Sequence, residues 1–229
     1  MLIPLFRDLL NSIFPDLCIC CTHTPKMNSG DFCAQCAYSM PYTNHFTHAE
    51  NDLTDHFKGR FRLYYGAALL NYRHDSIVKN MLHGLKYKGK KEIGEVLGAI
   101  MGRKLLKSPH FELPELVIPV PIHPRKKLRR GYNQSSIFGK SVAEVLEIPF
   151  REDILIKLDE TESQTGKNRT DRVQNVSKTF GINTEIKIGG HYLIADDVVT
   201  TGATLEACCN MLLTAGASKV SIASIAVTR

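Results

Sequence analysis

The sequence predicts an α/β fold in which a mostly parallel sheet is flanked by helices on both faces. Short apolar runs typical of strands alternate along the chain with longer segments whose apolar residues recur at helical spacing. Strands that alternate with helices are joined by crossover connections, which make neighbouring strands parallel. The 229 residues are 43% hydrophobic and 23% charged. This composition fits one well-buried domain with a small appendage and excludes wholesale disorder.

Each element is predicted from local composition. In one helix the residues Ile93, Val96, Leu97 and Ile100 share a face, whereas Pro119 stops a short apolar strand. Strands or hairpins are predicted at 63–72, 116–120, 153–156, 192–195 and 219–227. Helices are predicted at 75–83, 92–106, 137–146 and 205–213, the last opening around 203–204.

The predicted organisation has three parts. Residues 1–45 are rich in cysteine and too short of periodic segments to form much of a core, which indicates a small separate lobe. Residues 46–60 are polar and predict a linker or surface loop. Residues 61–229 carry the alternating pattern and form the main α/β domain.

The segment from Tyr192 to Leu205 combines features that suit a sugar phosphate. An apolar strand ends in Asp196 and Asp197, whose carboxylates can accept hydrogen bonds from a vicinal diol such as that of ribose. Hydroxyl residues and one glycine then lead straight into a helix, whose unpaired N–H groups and dipole favour a phosphate. The residues of this phosphate cradle are Thr200, Thr201, Gly202, Ala203 and Thr204. The alternative is a polar strand-to-helix turn with Thr204 in an N-cap.

This string resembles the phosphoribosyl pyrophosphate (PRPP) loop of type I phosphoribosyltransferases. The resemblance implies that Asp196 and Asp197 hold the ribose diol and that residues 200–204 hold the 5′-phosphate. It also implies a bound Mg²⁺ that bridges diol and pyrophosphate oxygens.

A basic segment, predicted to be a loop, follows the strand at 116–120. Five of the six residues from Arg125 to Arg130 are cationic. Held near a departing pyrophosphate, such cations would stabilise its developing charge; they could equally bind nucleic-acid phosphates or form a solvated surface. The polar segment 162–180 could close over a ligand or be an exposed loop without a role.

These two segments make the sequence similar to the ComF family of competence-associated, GntX-like proteins. The resemblance rests on a Pro-Val-Pro strand followed by Arg-Gly-Tyr-Asn-Gln, on the stretch from Leu85 to Gly89, and on the spacing of three later polar residues. It implies that Arg129, Arg130 and Gly131 lie in the pyrophosphate loop, with Arg130 joining Asp196 and Asp197 in catalysis. Three residues would belong to a flexible loop: Gln164, Arg172 and Asn175.

Two cysteine pairs indicate a structural zinc site in the N-terminal lobe. Cys18 and Cys21 form one pair, Cys33 and Cys36 the other, and eleven residues separate them. Two such pairs complete a tetrahedral Zn²⁺ site, whose binding would stabilise a lobe with little core. The alternative is buried or redox-active thiols without metal. A four-cysteine element is also implied by the ComF resemblance, although Cys20 leaves open which neighbour is the ligand.

Two functions fit these features. One is a PRPP-binding protein that handles single-stranded DNA, together with DNA-uptake proteins, during natural transformation, as the ComF resemblance implies. The other is a Mg²⁺-dependent phosphoribosyltransferase of nucleotide metabolism that acts on an unidentified base. The formal net charge of +6 favours polyanionic partners in either case. The absence of a signal-peptide pattern or a long apolar run predicts a cytoplasmic protein without a transmembrane segment.

Overall fold

A computed structural model describes residues 16–27, 30–73, 76–158, 180–183 and 188–228. Its main sheet has four parallel strands in the order β1-β6-β5-β2. These are β1 (Tyr65–Tyr72), β2 (Leu116–Pro119), β5 (His191–Val199) and β6 (Lys219–Thr228). A separate antiparallel pair is formed by β3 (Leu155–Lys157) and β4 (Phe180–Ile182). The predicted mostly parallel sheet is confirmed.

Seven helices lie within the described residues. They are α1 (Ala34–Tyr38), α2 (Asp52–Phe57), α3 (Ile77–Tyr87), α4 (Lys91–Leu106), α5 (Pro124–Arg130), α6 (Gln134–Leu146) and α7 (Ala203–Thr214). Helices α4 and α6 pack on each other, and α6 also packs on β2 and β5. Helix α7 packs on β5 and β6, and α2 packs on β1. Among the described helices, none combines the length and apolar character needed to cross a bilayer.

The central strands feed two hydrophobic cores, one on each face of the sheet. In β5, Leu193 and Ala195 belong to the core that contains α3, α4 and α6. The alternate residues Tyr192 and Ile194 belong to the core that contains α2 and α7. Because side chains alternate between the faces of a strand, this division shows that helices cover both faces.

The segment 46–60 differs from the predicted linker because it contains helix α2. The Asn51 side chain accepts hydrogen bonds from the N–H groups of Leu53 and Thr54, and Thr54 completes a capping box. Leu53 and Phe57 are fully buried in the α2–α7 core. The polar composition concealed two anchoring residues one helical turn apart.

Other bounds differ from the predicted ones by a few residues. Helix α6 begins at Gln134 and not at 137, because Asn133 caps it by accepting from the Ser135 N–H. Helix α3 has Ser76 at its N-cap and runs on to Tyr87, four residues beyond the predicted end. The strand predicted at 153–156 occupies 155–157.

Candidate functional site

The paired acids lie within strand β5 and not in a loop after it. Strand β2 ends at Pro119, opposite Ala195, whereas β5 continues beside β6 as far as Val199. Asp196 and Asp197 therefore project past the carboxyl end of β2 while β6 still supports their backbone. A crevice at this edge is where open α/β sheets bind ligands.

Two hydrogen-bond donors contact the Asp196 carboxylate. The Ser135 hydroxyl donates to its Oδ1 at 3.1 Å, and the Asp197 N–H donates to the same oxygen at 2.8 Å. Burial raises the pKa of Asp196 to about 7, and the negative charge of Asp197 adds to the rise. Ser135 reaches the carboxylate because α6 starts beside the end of β5.

Asp197 is paired with a lysine from another part of the chain. Lys86 Nζ lies 2.8 Å from Asp197 Oδ2, and both side chains are largely buried, at 24% and 17% exposure. Lys86 is in the last turn of α3. The two adjacent acids thus share one cation, which offsets part of their mutual repulsion.

We expect Asp196→Asn to stabilise the protein at alkaline pH. The pKa of Asp196, near 7, exceeds the value of about 3.9 in an unfolded chain, so the folded state binds more protons between these limits. Stability from this group is therefore lost as pH rises from about 4 to 7. Asparagine keeps the shape without the charge and should raise the free energy of unfolding at pH 8 by roughly 1–3 kcal/mol. Thermal unfolding of the unaltered protein and of Asp196→Asn at pH 5 and pH 8 checks this. If stability changes between pH 5 and pH 8 by the same amount in both proteins, the expectation is contradicted.

The strand-to-helix turn after Val199 presents an open helix N-terminus. Gly202 is the N-cap of α7 in the left-handed region, with φ 72°, and α7 has no side-chain cap. Thr200, Thr201 and Thr204 are exposed around it. The first N–H groups of α7 thus face a surface rimmed by hydroxyls, which suits a phosphate.

Helix α2 and Arg60 contact this turn and support its backbone. A Cβ atom added at Gly202 would lie 2.6 Å from a ring carbon of Phe57 and 2.8 Å from Nε2 of His56. Arg60 Nη1 donates to the Thr201 carbonyl at 2.9 Å. These contacts were missed in the sequence because the residues fall in the segment 46–60, where only tertiary packing reveals their role.

The basic segment is a helix and not a loop. Pro124 occupies the first turn of α5, the His123 side chain accepts from the Arg125 N–H at 3.1 Å, and Gly131 ends the helix with φ 80°. These start and stop signals favour a helix even though none of its residues is buried. The cations therefore project from a short exposed helix.

Arg130 is the member of this helix that turns inward. Its Nη1 donates to Gln134 Oε1 at 2.7 Å, and its guanidinium carbon lies 5.1 Å from the centroid of the Tyr87 ring. Tyr87 follows Lys86, so α5 and the paired acids approach the same end of α3. Arg129 is exposed, and Gly131 supplies the turn into α6.

The four predicted cysteines come together. The sulfurs of Cys18, Cys21, Cys33 and Cys36 all lie within 4.8 Å of one another, and those of Cys21 and Cys33 are 3.9 Å apart. Thiolates bound to one tetrahedral metal at about 2.3 Å would be about 3.8 Å apart. The arrangement could hold a metal ion. Such a site would be largely shielded from solvent, since Cys21 is partly exposed and the other three cysteines are buried.

Cys20 lies beside this group without belonging to it. It is buried, and burial raises the pKa of its thiol to about 11. Hydrogen bonding from the His23 N–H lowers the pKa of Cys21 to about 5. The ambiguity between the neighbours resolves in favour of Cys21 as the member of the cluster.

Comparison with known proteins agrees with this architecture. Residues 133–228 match the phosphoribosyl transferase domain family. Competence protein F of Haemophilus influenzae is 31% identical over 51% of this chain and 52% of its own length. Competence protein ComFC of Bacillus subtilis is 28% identical over 69% of this chain and 62% of its own length.

DNA utilization protein YhgH of Salmonella typhimurium is 29% identical over 62% of this chain and 63% of its own length. These relatives and the matched domain support a ComF-family protein with a phosphoribosyltransferase-like domain. It spans between 52% and 63% of the length of these relatives.

The matched domain covers only part of the candidate site. Asp196, Asp197 and the turn 200–204 fall inside residues 133–228, whereas Arg129, Arg130 and Gly131 precede it. The four-cysteine lobe and Lys86 also lie outside the match. The three residues assigned to a flexible loop, Gln164, Arg172 and Asn175, lie outside the described residues.

Proposed function

We propose that this ComF-family chain binds PRPP at the carboxyl edge of its sheet and acts in the handling of single-stranded DNA during natural transformation. Asp196 and Asp197 would accept hydrogen bonds from the ribose diol, and the turn from Thr200 to Thr204 would hold the 5′-phosphate. The observation that carries the proposal is the placement of both acids beside an uncapped helix N-terminus, inside a matched phosphoribosyl transferase domain.

The basic residues before α6 fit the pyrophosphate group. Arg130 and Arg129 would lie near it, with Gly131 allowing the chain to turn between α5 and α6. Arg130 would stabilise negative charge on a departing pyrophosphate if the chain transfers the sugar. Its approach to the end of α3 supports this assignment, since the acids are paired with Lys86 at the same end.

Two metals fit the donor sets. Carboxylate oxygens such as those of Asp196 and Asp197 suit Mg²⁺, which would neutralise charge on the pyrophosphate when bound with PRPP. Four clustered thiols suit Zn²⁺ in a closed structural site, held by Cys18, Cys21, Cys33 and Cys36. The zinc would stabilise the lobe and leave no open position for chemistry.

The names of the relatives support the DNA role, since they are competence proteins and DNA utilization proteins. The net charge of +6 suits a polyanionic partner. Single-stranded DNA and DNA-uptake proteins in the cytoplasm would then be the partners.

Calorimetric titration with PRPP, with and without Mg²⁺, tests the proposed pocket. We expect saturable heat that strengthens with Mg²⁺. A parallel assay for pyrophosphate release with a panel of bases tests the enzymatic alternative. Absence of heat under both conditions would contradict PRPP binding, and turnover with a base would favour an active phosphoribosyltransferase.

A further inference from the structure

The turn between α3 and α4 distributes its cations in two directions. Four of the six residues from Lys86 to Lys91 are lysines. Lys86 pairs with Asp197, and Lys91 Nζ lies 5.1 Å from the centroid of the Tyr132 ring. Lys88 and Lys90 instead line a cleft on the side of the four-cysteine lobe. One short turn therefore serves the PRPP pocket and a second surface.

This cleft has a volume of about 560 Å³ and walls from both parts of the chain. The lobe contributes His23 and its neighbours, and α3 contributes Asn80 and His83 opposite them. Neither aspartate nor glutamate is present among the described residues that line the cleft. The lobe side of the lining includes Cys21 and Cys36 of the four-cysteine cluster, whereas Lys88 and Lys90 lie on the side of the α3–α4 turn. It is this lysine side of the cleft that favours an anion.

An exposed aromatic ring adjoins the cleft. Tyr87 is 59% exposed, and its ring centroid lies 5.1 Å from that of His83, which lines the cleft. On another side Arg130 stacks over the same ring at 5.1 Å. Tyr87 is therefore held in place between a cleft residue and a cation while it remains open to solvent. Held and exposed, such a ring can stack on a nucleic-acid base.

We propose that a single strand of nucleic acid lies in this cleft, with phosphates on Lys88 and Lys90 and a base stacked on Tyr87. The proposal rests on the proposed function, in which the chain handles single-stranded DNA, and it names the surface that does so. Cations that follow a backbone next to an aromatic platform are the common arrangement for single strands. A small phosphate ligand would use the lysines but would leave the exposed ring without a purpose.

The surface also places the strand next to the PRPP pocket. Lys86 reaches Asp197 from the helical turn that presents Tyr87, and Lys88 follows two residues later. Because Lys86 pairs with Asp197 whereas Lys88 and Lys90 line the cleft, the two sites use different side chains, and we expect each to bind its ligand while the other is occupied. The two ligands can therefore be assayed separately on the same protein.

The test compares two variants that each lose two positive charges. Lys88→Ala/Lys90→Ala removes the cleft lysines. Lys107→Ala/Lys140→Ala removes exposed lysines at the far end of α4 and on α6, neither of which lines the cleft. Binding of a fluorescent oligothymidylate is measured by anisotropy across a salt series, beside PRPP calorimetry on every protein.

We expect the cleft variant to reduce the slope of log affinity against log salt by about 1.4, since each phosphate contact to a single strand contributes about 0.7. This corresponds to a loss of roughly 25-fold at 0.1 M salt. The control variant should keep the slope of the unaltered protein and change the affinity by no more than about twofold. PRPP heat should persist in both variants. Equal losses in the two variants would overturn the assignment of the cleft and leave DNA binding by the chain intact.

Two further measurements separate the remaining outcomes. Tyr87→Ala should weaken the oligonucleotide about tenfold through lost stacking, and Tyr87→Phe should restore it. A duplex of equal length that binds as tightly as the single strand would overturn the single-strand assignment. Failure of the unaltered protein to bind any oligonucleotide, with PRPP heat present, would reject this inference and the DNA part of the proposed function together. Failure of PRPP heat alone would reject only the sugar-phosphate pocket.

Discussion

Asp197→Ala should weaken PRPP binding roughly 100-fold and leave the metal content of the protein unchanged. The substitution removes the proposed charged acceptor of the ribose diol, and a hydrogen bond to a charged group contributes about 1.5–3 kcal/mol. It also leaves Lys86, only 24% exposed, without its partner at 2.8 Å. Calorimetry with PRPP and Mg²⁺, together with metal analysis, measures both quantities.

Two further variants serve as controls for this result. Asp197→Asn keeps the size of the side chain and loses its charge, so most of the weakening should remain. Asp153→Ala removes an exposed carboxylate that pairs only with Arg151 among the described residues, and it should leave binding unchanged. Loss of PRPP and metal binding together in Asp197→Ala would show that the two sites are not separate.

The residues of the proposed sugar-phosphate site could be picked out from local sequence because most of them are contiguous. The acids, the hydroxyls and Gly202 fall within nine residues, and strand-then-helix periodicity on either side predicts the edge of the sheet where they lie. The predicted end of β5 at residue 195 was wrong, because β6 continues to pair with β5 through Val199. No local pattern reports how far a neighbouring strand extends.

The partners of this site could not be predicted in the same way. Lys86 meets Asp197 across more than a hundred residues, and Arg60 meets the Thr201 carbonyl across a similar separation. Arg60 comes from a segment whose polar composition indicated a linker, although Phe57 anchors it in the core. Such contacts depend on how the helices pack on the sheet. Apolar periodicity predicts which face of a helix is buried, but not which residues it meets there.

The basic segment shows a different reason for error. Its composition indicated a loop, since charged residues without an apolar stripe form no buried face. The start and stop signals of Pro124 and Gly131 were visible in the sequence and favour the observed helix. Its position between β2 and α6 was nevertheless predicted, and this position carries the functional argument.

Cys21→Ser should abolish metal binding, whereas Cys20→Ser should retain it. Cys21 is one of the four sulfurs that lie within 4.8 Å of one another, and Cys20 is its neighbour outside the group. Binding of structural Zn²⁺ by small domains contributes about 10–16 kcal/mol, so loss of one of four ligands should unfold the lobe. Metal analysis of the purified proteins should give close to one zinc per chain for Cys20→Ser and close to none for Cys21→Ser.

Limited proteolysis distinguishes a lost metal from a lost fold. Cys18, Cys33 and Cys36 are buried in the same core as α3 and α4, so unfolding of the lobe should expose the chain before residue 46 to protease. The sheet and its paired acids should remain, since β5, β6 and α7 draw on the opposite core as well. PRPP should therefore still bind to Cys21→Ser, while oligonucleotide binding falls, because one wall of the cleft comes from the lobe.

Two outcomes would contradict this account. Full metal content in Cys21→Ser and none in Cys20→Ser would show that Cys20, and not Cys21, is the ligand. A metal-free protein whose lobe still resists protease would show that packing of the thiols alone stabilises the lobe.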